Sequence, residues 1–354
     1  MKRVIVTRIA AIGLALALLL HVARYMVTHA IECLPDCVGA NLADRNLRGL
    51  NLSQAEFMEA NLRQVDLSGA DLHDTDLSGS MLMGANLQRA DLRGAKLIGA
   101  NLTSANLGGV ILRGADMRGA ILNRANLTRV DLTEVRLSGV MLNEAALIGV
   151  PLRGASLAGV ELVGADLSGA DLNGADLSGA TLSRADLSGA ILSAADLTGA
   201  WLNLTNLTGA NLAQANLTGA SLIGSQLGGA NLYGSVLVGT LLVGAKLSGA
   251  DLRSANLTGA RVLRPQLASG QGDARAATPH LPHGDKAPRR LTAAKSPQES
   301  IVPLEEKDLV LDPELKALNA IQLREILRDA DLKGVQSDSH TRWPTALEQS
   351  AFTP

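Results

Sequence analysis

The sequence predicts an all-β solenoid, a backbone that turns one corner every five residues around an apolar axis. Three observations predict it. Leucine occupies every fifth position from Leu42 to Leu267, 43 of 46 places, with Phe57, Met117 and Val262 as the exceptions and no insertion breaking the phase. Glycine, 36 residues in a chain of 354, recurs two positions after leucine in stretches such as "LSGA". Aromatic residues make up only 2% of the chain, fewer large rings than an ordinary globular core would hold. A repeat of this regularity overrides the length-based expectation of two or three domains, because a solenoid grows in one dimension.

The five-residue step excludes the regular alternatives. In an α-helix, five residues advance about 140° beyond a full turn, so successive leucines would spread around the cylinder. In a straight strand an odd step places them on opposite faces. A chain that bends at each repeat sends every leucine to the same axis. Gly69, Gly169, Gly179 and Gly189 then fall at the second central position of a Leu-x-Gly-Ala turn. A type II turn requires φ > 0 at that place, which glycine supplies without strain. Where Arg89, Arg124 or Glu134 stands there, a different turn type is expected. Alanine, two residues before leucine, shares the inward side and fills the space left. Val110, Val130, Val140, Val150 and Val160 replace it mid-chain, which predicts a wider or reshaped bore. The residue before leucine and the two after it are expected to point outward.

The period alone does not fix the number of corners per coil. The units "ANLRQ", "ADLHD", "ANLTS" and "ADLSG", running from about Pro35 to Ala268, resemble the pentapeptide-repeat family, whose motif is A-(D/N)-L-x-x. The resemblance implies a right-handed quadrilateral β-helix with four repeats per coil. On that geometry the chain makes about 11 coils some 4.8 Å apart, a rod on the order of 55 Å long. The sequence carries an internal check. Met81, Ile121, Met141, Trp201 and Leu241 stand just before a leucine and are separated by 40, 20, 60 and 40 residues, all multiples of 20. The other large apolar residues at that position, Ile111, Ile191 and Val236, fall outside this column. The five form the candidate partner face, since exposed methionine and tryptophan often mark contact surfaces.

Outside the repeat the chain divides further. Residues 1–30 read as a signal peptide or an N-terminal membrane anchor: Lys2, Arg3 and Arg8 precede the hydrophobic helix candidate Ile9–Leu20, shorter than the roughly 20 residues of a membrane span. Cleavage is left open. Cys33 and Cys37, the only cysteines, are a candidate disulfide pinning the first coil if the chain is exported. Cys37 also falls on the leucine phase, where it can serve as a small buried hydrophobe. Pro265, lacking an amide hydrogen, is expected to end the ladder. Residues 269–310 read as a disordered linker. An amphipathic helix over 311–335, with Asp312 as cap and a stripe of Leu315, Leu318, Leu323, Ile326 and Leu327, is a candidate end cap. "ILRDADLKG" leaves open the rival reading of a decayed coil. Residues 336–354 read as a disordered tail.

Nothing catalytic converges, so no enzyme, cofactor or metal site is expected. Of the six histidines only His73 lies within the repeat, and its neighbours Asp74 and Asp76 would splay apart. The chain's formal net charge is −2, and 35–268 holds 20 acidic against 17 basic residues. That balance argues against a nucleic-acid partner. Some family members imitate DNA and bind topoisomerase, which is the alternative function, protection of gyrase; a nearly neutral rod is a poor imitation of phosphates. The leading reading is a non-enzymatic scaffold of the cell envelope that binds an unidentified protein along the apolar column. The membrane would be met only through an uncleaved N-terminus, and end-to-end pairing of two copies stays open. One further departure is the loss of Asp/Asn before six consecutive leucines, at Arg136, Met141, Ala146, Pro151, Ser156 and Glu161.

Overall fold

The computed structural model describes residues 31–261 and 335–342. Within it the five-residue period becomes a four-sided coil. Each ladder residue, the one before leucine, pairs in parallel with the residue 20 positions on: Asn41 with Asn61, Asn46 with Asp66, Asn51 with Asp71, Glu56 with Asp76. The bonds follow one rule. Leu62 N donates to Met81 O at 2.9 Å, and Met81 N donates back to Ala60 O at 2.9 Å. From Asp36 to Asn256 the ladder makes (256 − 36)/20 = 11 coils. We number its faces by their first full-coil residues: face 1 from Asn41, face 2 from Asn46, face 3 from Asn51 and face 4 from Glu56.

The bore is filled as the period requires. The leucines are 0–6% exposed and Phe57 and Met117 take their places without disturbance. Alanine fills the second inward position. Hydroxyl residues there satisfy themselves on the turn: Thr75, Ser80, Ser225 and Ser235 each donate to the leucine carbonyl three residues back, at 2.6–2.7 Å.

Each corner is a four-residue turn, with Ala70 N donating to Leu67 O at 3.0 Å and Gly69 at φ 65° between them. The expectation of a different turn at Arg89 and Arg124 is wrong: both adopt the same left-handed backbone, at φ 56° and 60°. The remaining bonds of the coil impose that conformation on residues with a Cβ, at a strain of roughly 1 kcal/mol each. Glu134 does depart, having no positive φ.

Aspartate and asparagine at the ladder position brace the corner that follows. Asp176 Oδ1 accepts from Ser178 N at 3.0 Å and from its Oγ at 2.7 Å. The same side-chain bond to Ser178 is the main cause holding the Asp176 carboxyl below its ordinary range. Along face 2 the amides also link coil to coil, Asn86 to Asp66 at 3.1 Å and Asn126 to Asn106 at 3.1 Å.

The ladder opens once. Asp131 pairs with neither neighbouring coil, and neither Arg136 with Ser156 nor Leu112, Leu132 and Leu137 N with the coil beyond. Two causes meet there. Val110, Val130 and Val150 stack in one inward row beside face 3, each two carbons larger than the alanine the bore accommodates. Pro151 removes the amide that would bond Val130 O. The opening leaves a cavity of about 600 Å³ lined by Ile111, Arg113, Arg129, Asp131, Thr133 and Glu134. The expected reshaping of the bore is therefore a local separation of coils.

Both ends of the described rod are finished. Ile31 is buried, and Cys33 and Cys37 form a disulfide, with Cys37 also buried on the leucine phase. At the other end Gln336 pairs with Asp251 and Arg342 with Asn256. Part of the segment read as a disordered tail thus adds a fragment of a twelfth coil. Thr341 takes the inward place and its Oγ1 donates to Leu252 O at 2.9 Å. Asp338 ties the fragment down, accepting from Ser254 N at 2.9 Å, His340 N at 3.0 Å and Thr341 N at 2.9 Å. Residues 1–30, the linker 269–310 and the helix candidate up to 334 lie outside the described residues. Among the described residues no helix is long and apolar enough to cross a membrane.

Candidate functional site

Face 1 carries the candidate residues. Its ladder reads Asn41, Asn61, Met81, Asn101, Ile121, Met141, Glu161, Thr181, Trp201, Ser221, Leu241 and Arg261. Met81 stacks two coils from Ile121, Ile121 pairs directly with Met141, and Trp201 and Leu241 flank Ser221. The structure therefore brings all five onto one face. Each is half-buried rather than fully exposed, because ladder side chains lean on their neighbours above and below. The large apolar side chains most open to solvent lie elsewhere: Ile111 at 49% and Ile191 at 40% on face 3, and Ile148 at 50%, Val38 at 48% and Tyr233 at 46% at corners.

A second apolar row runs beside the column. The residue two after each ladder position occupies the corner beside face 1, and Ile223 and Val243 stand there, with Leu204 next to Asn203. They recur at the same 20-residue interval. Tabulating that second outward position would have found them. Ser183, Asn203, Ile223 and Val243 are all fully buried, against the expectation that the residues after leucine point outward. Asn203 Oδ1 accepts from Ile223 N at 2.9 Å and from Ser221 Oγ at 2.6 Å.

Several charged side chains elsewhere are paired. Arg93 meets Asp91 at 2.6 Å, Arg118 meets Asp116 at 2.7 Å, Arg124 meets Glu144 at 2.7 Å and Arg113 meets Glu134 at 2.8 Å. The bond to Asp116 is the main cause raising the Arg118 guanidinium, and the reciprocal bond lowers Asp116. His73 Nδ1 lies 2.7 Å from Asp71, which raises its pKa. No cluster of three or more potential metal ligands occurs among the described residues.

Comparison with known proteins agrees with the coil. The description "Pentapeptide repeats (8 copies)" matches overlapping segments from 36 to 139 and from 151 to 262. The break between them falls inside the run without Asp or Asn. Among solved structures, the chain is similar to HetL, a pentapeptide repeat protein involved in heterocyst differentiation regulation from the cyanobacterium Nostoc sp. strain PCC 7120. Identity is 36%, over 61% of this chain and 84% of that one, with a TM-score of 0.30. Rfr23 from the cyanobacterium Cyanothece 51142 is 31% identical over 34% of this chain and 95% of its own, with a TM-score of 0.31. QnrB1, a plasmid-mediated fluoroquinolone resistance protein, is 19% identical over 54% of this chain and 88% of its own, with a TM-score of 0.31. No curated protein matches. With its ladder, its corners and the family pattern covering most of the rod, the chain belongs to the pentapeptide-repeat family.

Proposed function

We propose that this protein is a non-enzymatic scaffold of the cell envelope that binds a protein partner along face 1. One observation carries the reading: large apolar side chains are gathered on one face of a ladder whose other positions are mostly Asp, Asn or Ser. Such a row presents adaptable, polarizable surface where a partner can exclude water. The polar positions have structural employment, since Asp and Asn brace corners, which leaves the apolar row as the departure needing another reason. Export rests on the basic and apolar pattern of 1–30, and a Cys33–Cys37 disulfide suits an oxidising compartment.

Imitation of DNA is less well supported. It needs a run of uncompensated negative charge, and here arginines beside Asp91, Asp116 and Glu144 neutralise the rod locally. The test uses the part of the column nearest the N-terminus. A photo-crosslinking side chain at Met141 should yield one discrete adduct in the envelope fraction, and the same group at Asn211 on the opposite face should not. Met81→Asp with Met141→Asp should abolish partner capture while the circular dichroism spectrum is kept. Unchanged capture would remove face 1 as the binding surface.

A further inference from the structure

Burial along the corner row of face 1 changes abruptly in mid-rod. Arg63 is exposed, and Met83, Thr103, Asn123, Asn143 and Val163 are half-buried. The next four residues of the same row, Ser183, Asn203, Ile223 and Val243, are all 0% exposed. The coil itself does not account for the change. The register is the same on both sides, Ile121 pairing with Met141 and Met141 with Glu161 before the change, and Trp201 with Ser221 and Ser221 with Leu241 after it. The twelfth-coil fragment lies on faces 3 and 4. Ile223 and Val243 are the apolar residues so removed from water, and Trp201, Leu204 and Leu241 stand half-buried beside them.

We propose that residues 311–334 dock lengthwise on this half of face 1, as a side cover rather than as a cap on the end of the rod. The segment's own stripe, Leu315, Leu318, Leu323, Ile326 and Leu327, is complementary to the row. Its tether is near. It runs directly into Val335, and Gln336 pairs with Asp251, which is in the same coil as Leu241, two faces on. As a helix its 24 residues would be about 36 Å long, whereas Ser183 to Val243 spans three coil steps, about 14 Å. The apolar run of 9–20 is tethered at Ile31, about seven coils or some 34 Å from the nearest covered coil. Proximity therefore favours the C-terminal segment.

This docking takes Trp201 and Leu241 out of the partner face proposed above and leaves Met81, Ile121 and Met141 for the partner. It is tested on the purified full chain with no partner present. Trp343→Phe leaves Trp201 as the sole tryptophan, a reporter in the middle of the covered row. Adding Leu318→Asp, Leu323→Asp and Ile326→Asp should shift its emission to the red and raise its iodide quenching several-fold, with the circular dichroism of the rod retained. Ile223→Asp, placed on the rod instead, should give the same change. An unaltered Trp201 signal in both variants would overturn the proposal. So would a shift produced by removing residues 1–30 and not by the 311–334 substitutions, which would make the N-terminal run the occupant.

Discussion

Between Ala165 and Ala220 every ladder residue pairs with the coils on both sides, whereas between Val110 and Val160 the ladder opens at Asp131. The two regions have the same period and the same buried leucines, so leucine spacing does not explain the difference. The inward partner does. In the regular region that place is alanine throughout except Thr205, whose hydroxyl donates to Leu182 O at 2.8 Å. In the open region stacked valines press on neighbouring coils. The polar brace is missing too, since the six ladder residues from Arg136 to Glu161 include no Asp or Asn. Asp131 shows that corner and ladder are separable. Its Oδ1 still accepts from Thr133 N at 3.0 Å although its strand pairs with nothing.

The largest expected effect breaks the comparison at its common feature. Leu177→Ala, in the tight region, should cost about 3–5 kcal/mol, and Leu132→Ala, beside the opening, about 2–3 kcal/mol, because a site that can collapse loses less. Chemical denaturation with a probe in each region would show it; equal losses would mean that the opening does not relax the packing around it. A repair is the next test. Val130→Ala together with Pro151→Asp should restore the missing pairing and raise stability by about 1–2 kcal/mol. Hydrogen exchange would read it as new protection at Leu112 and Leu132, and unchanged exchange would point to a cause outside those two residues.

The smallest effect concerns the added fragment 335–342, which has ladder bonds like the regular coils but depends on one carboxylate at its corner. The bond from Ser254 N is the main cause lowering the Asp338 pKa from 3.8 to about 2. A depressed carboxyl contributes stability above its unfolded pKa and loses it as pH falls through the folded one. Amide protection of Gln336 and Arg342 should therefore be full above about pH 4 and fall away toward pH 2. Asp338→Asn should weaken it at neutral pH and flatten that dependence, whereas an acid profile identical to the parent's would show that other groups hold the fragment.

Much of the coil was legible because a five-residue step admits few backbones. The family resemblance implied four sides, and the multiples of 20 linking Met81 to Leu241 agree with it, since a column can form only when the coil length divides the spacing. Arg89 and Arg124 misled because propensity alone disfavours φ > 0 for a residue with a Cβ; the surrounding coils override that preference at a modest cost. The second row of the site, Ile223 and Val243, was overlooked because positions after leucine look outward in a single repeat. Their burial depends on what lies across several coils, which no five-residue unit contains.

The sequence by itself determined the period, the inward and outward sides, the family and the column of apolar residues on one face. These follow from where each side chain must go to leave water, a local and repeated requirement. Only the tertiary structure decided that the ladder opens at Asp131 among the valines, that Gln336 and Arg342 return as a twelfth-coil fragment, and that the corner residues Ser183, Asn203, Ile223 and Val243 beside face 1 are withdrawn from solvent. Each of those depends on contacts between residues 20 to about 90 positions apart, where packing and hydrogen bonding between coils, not the preference of any one repeat, sets the outcome.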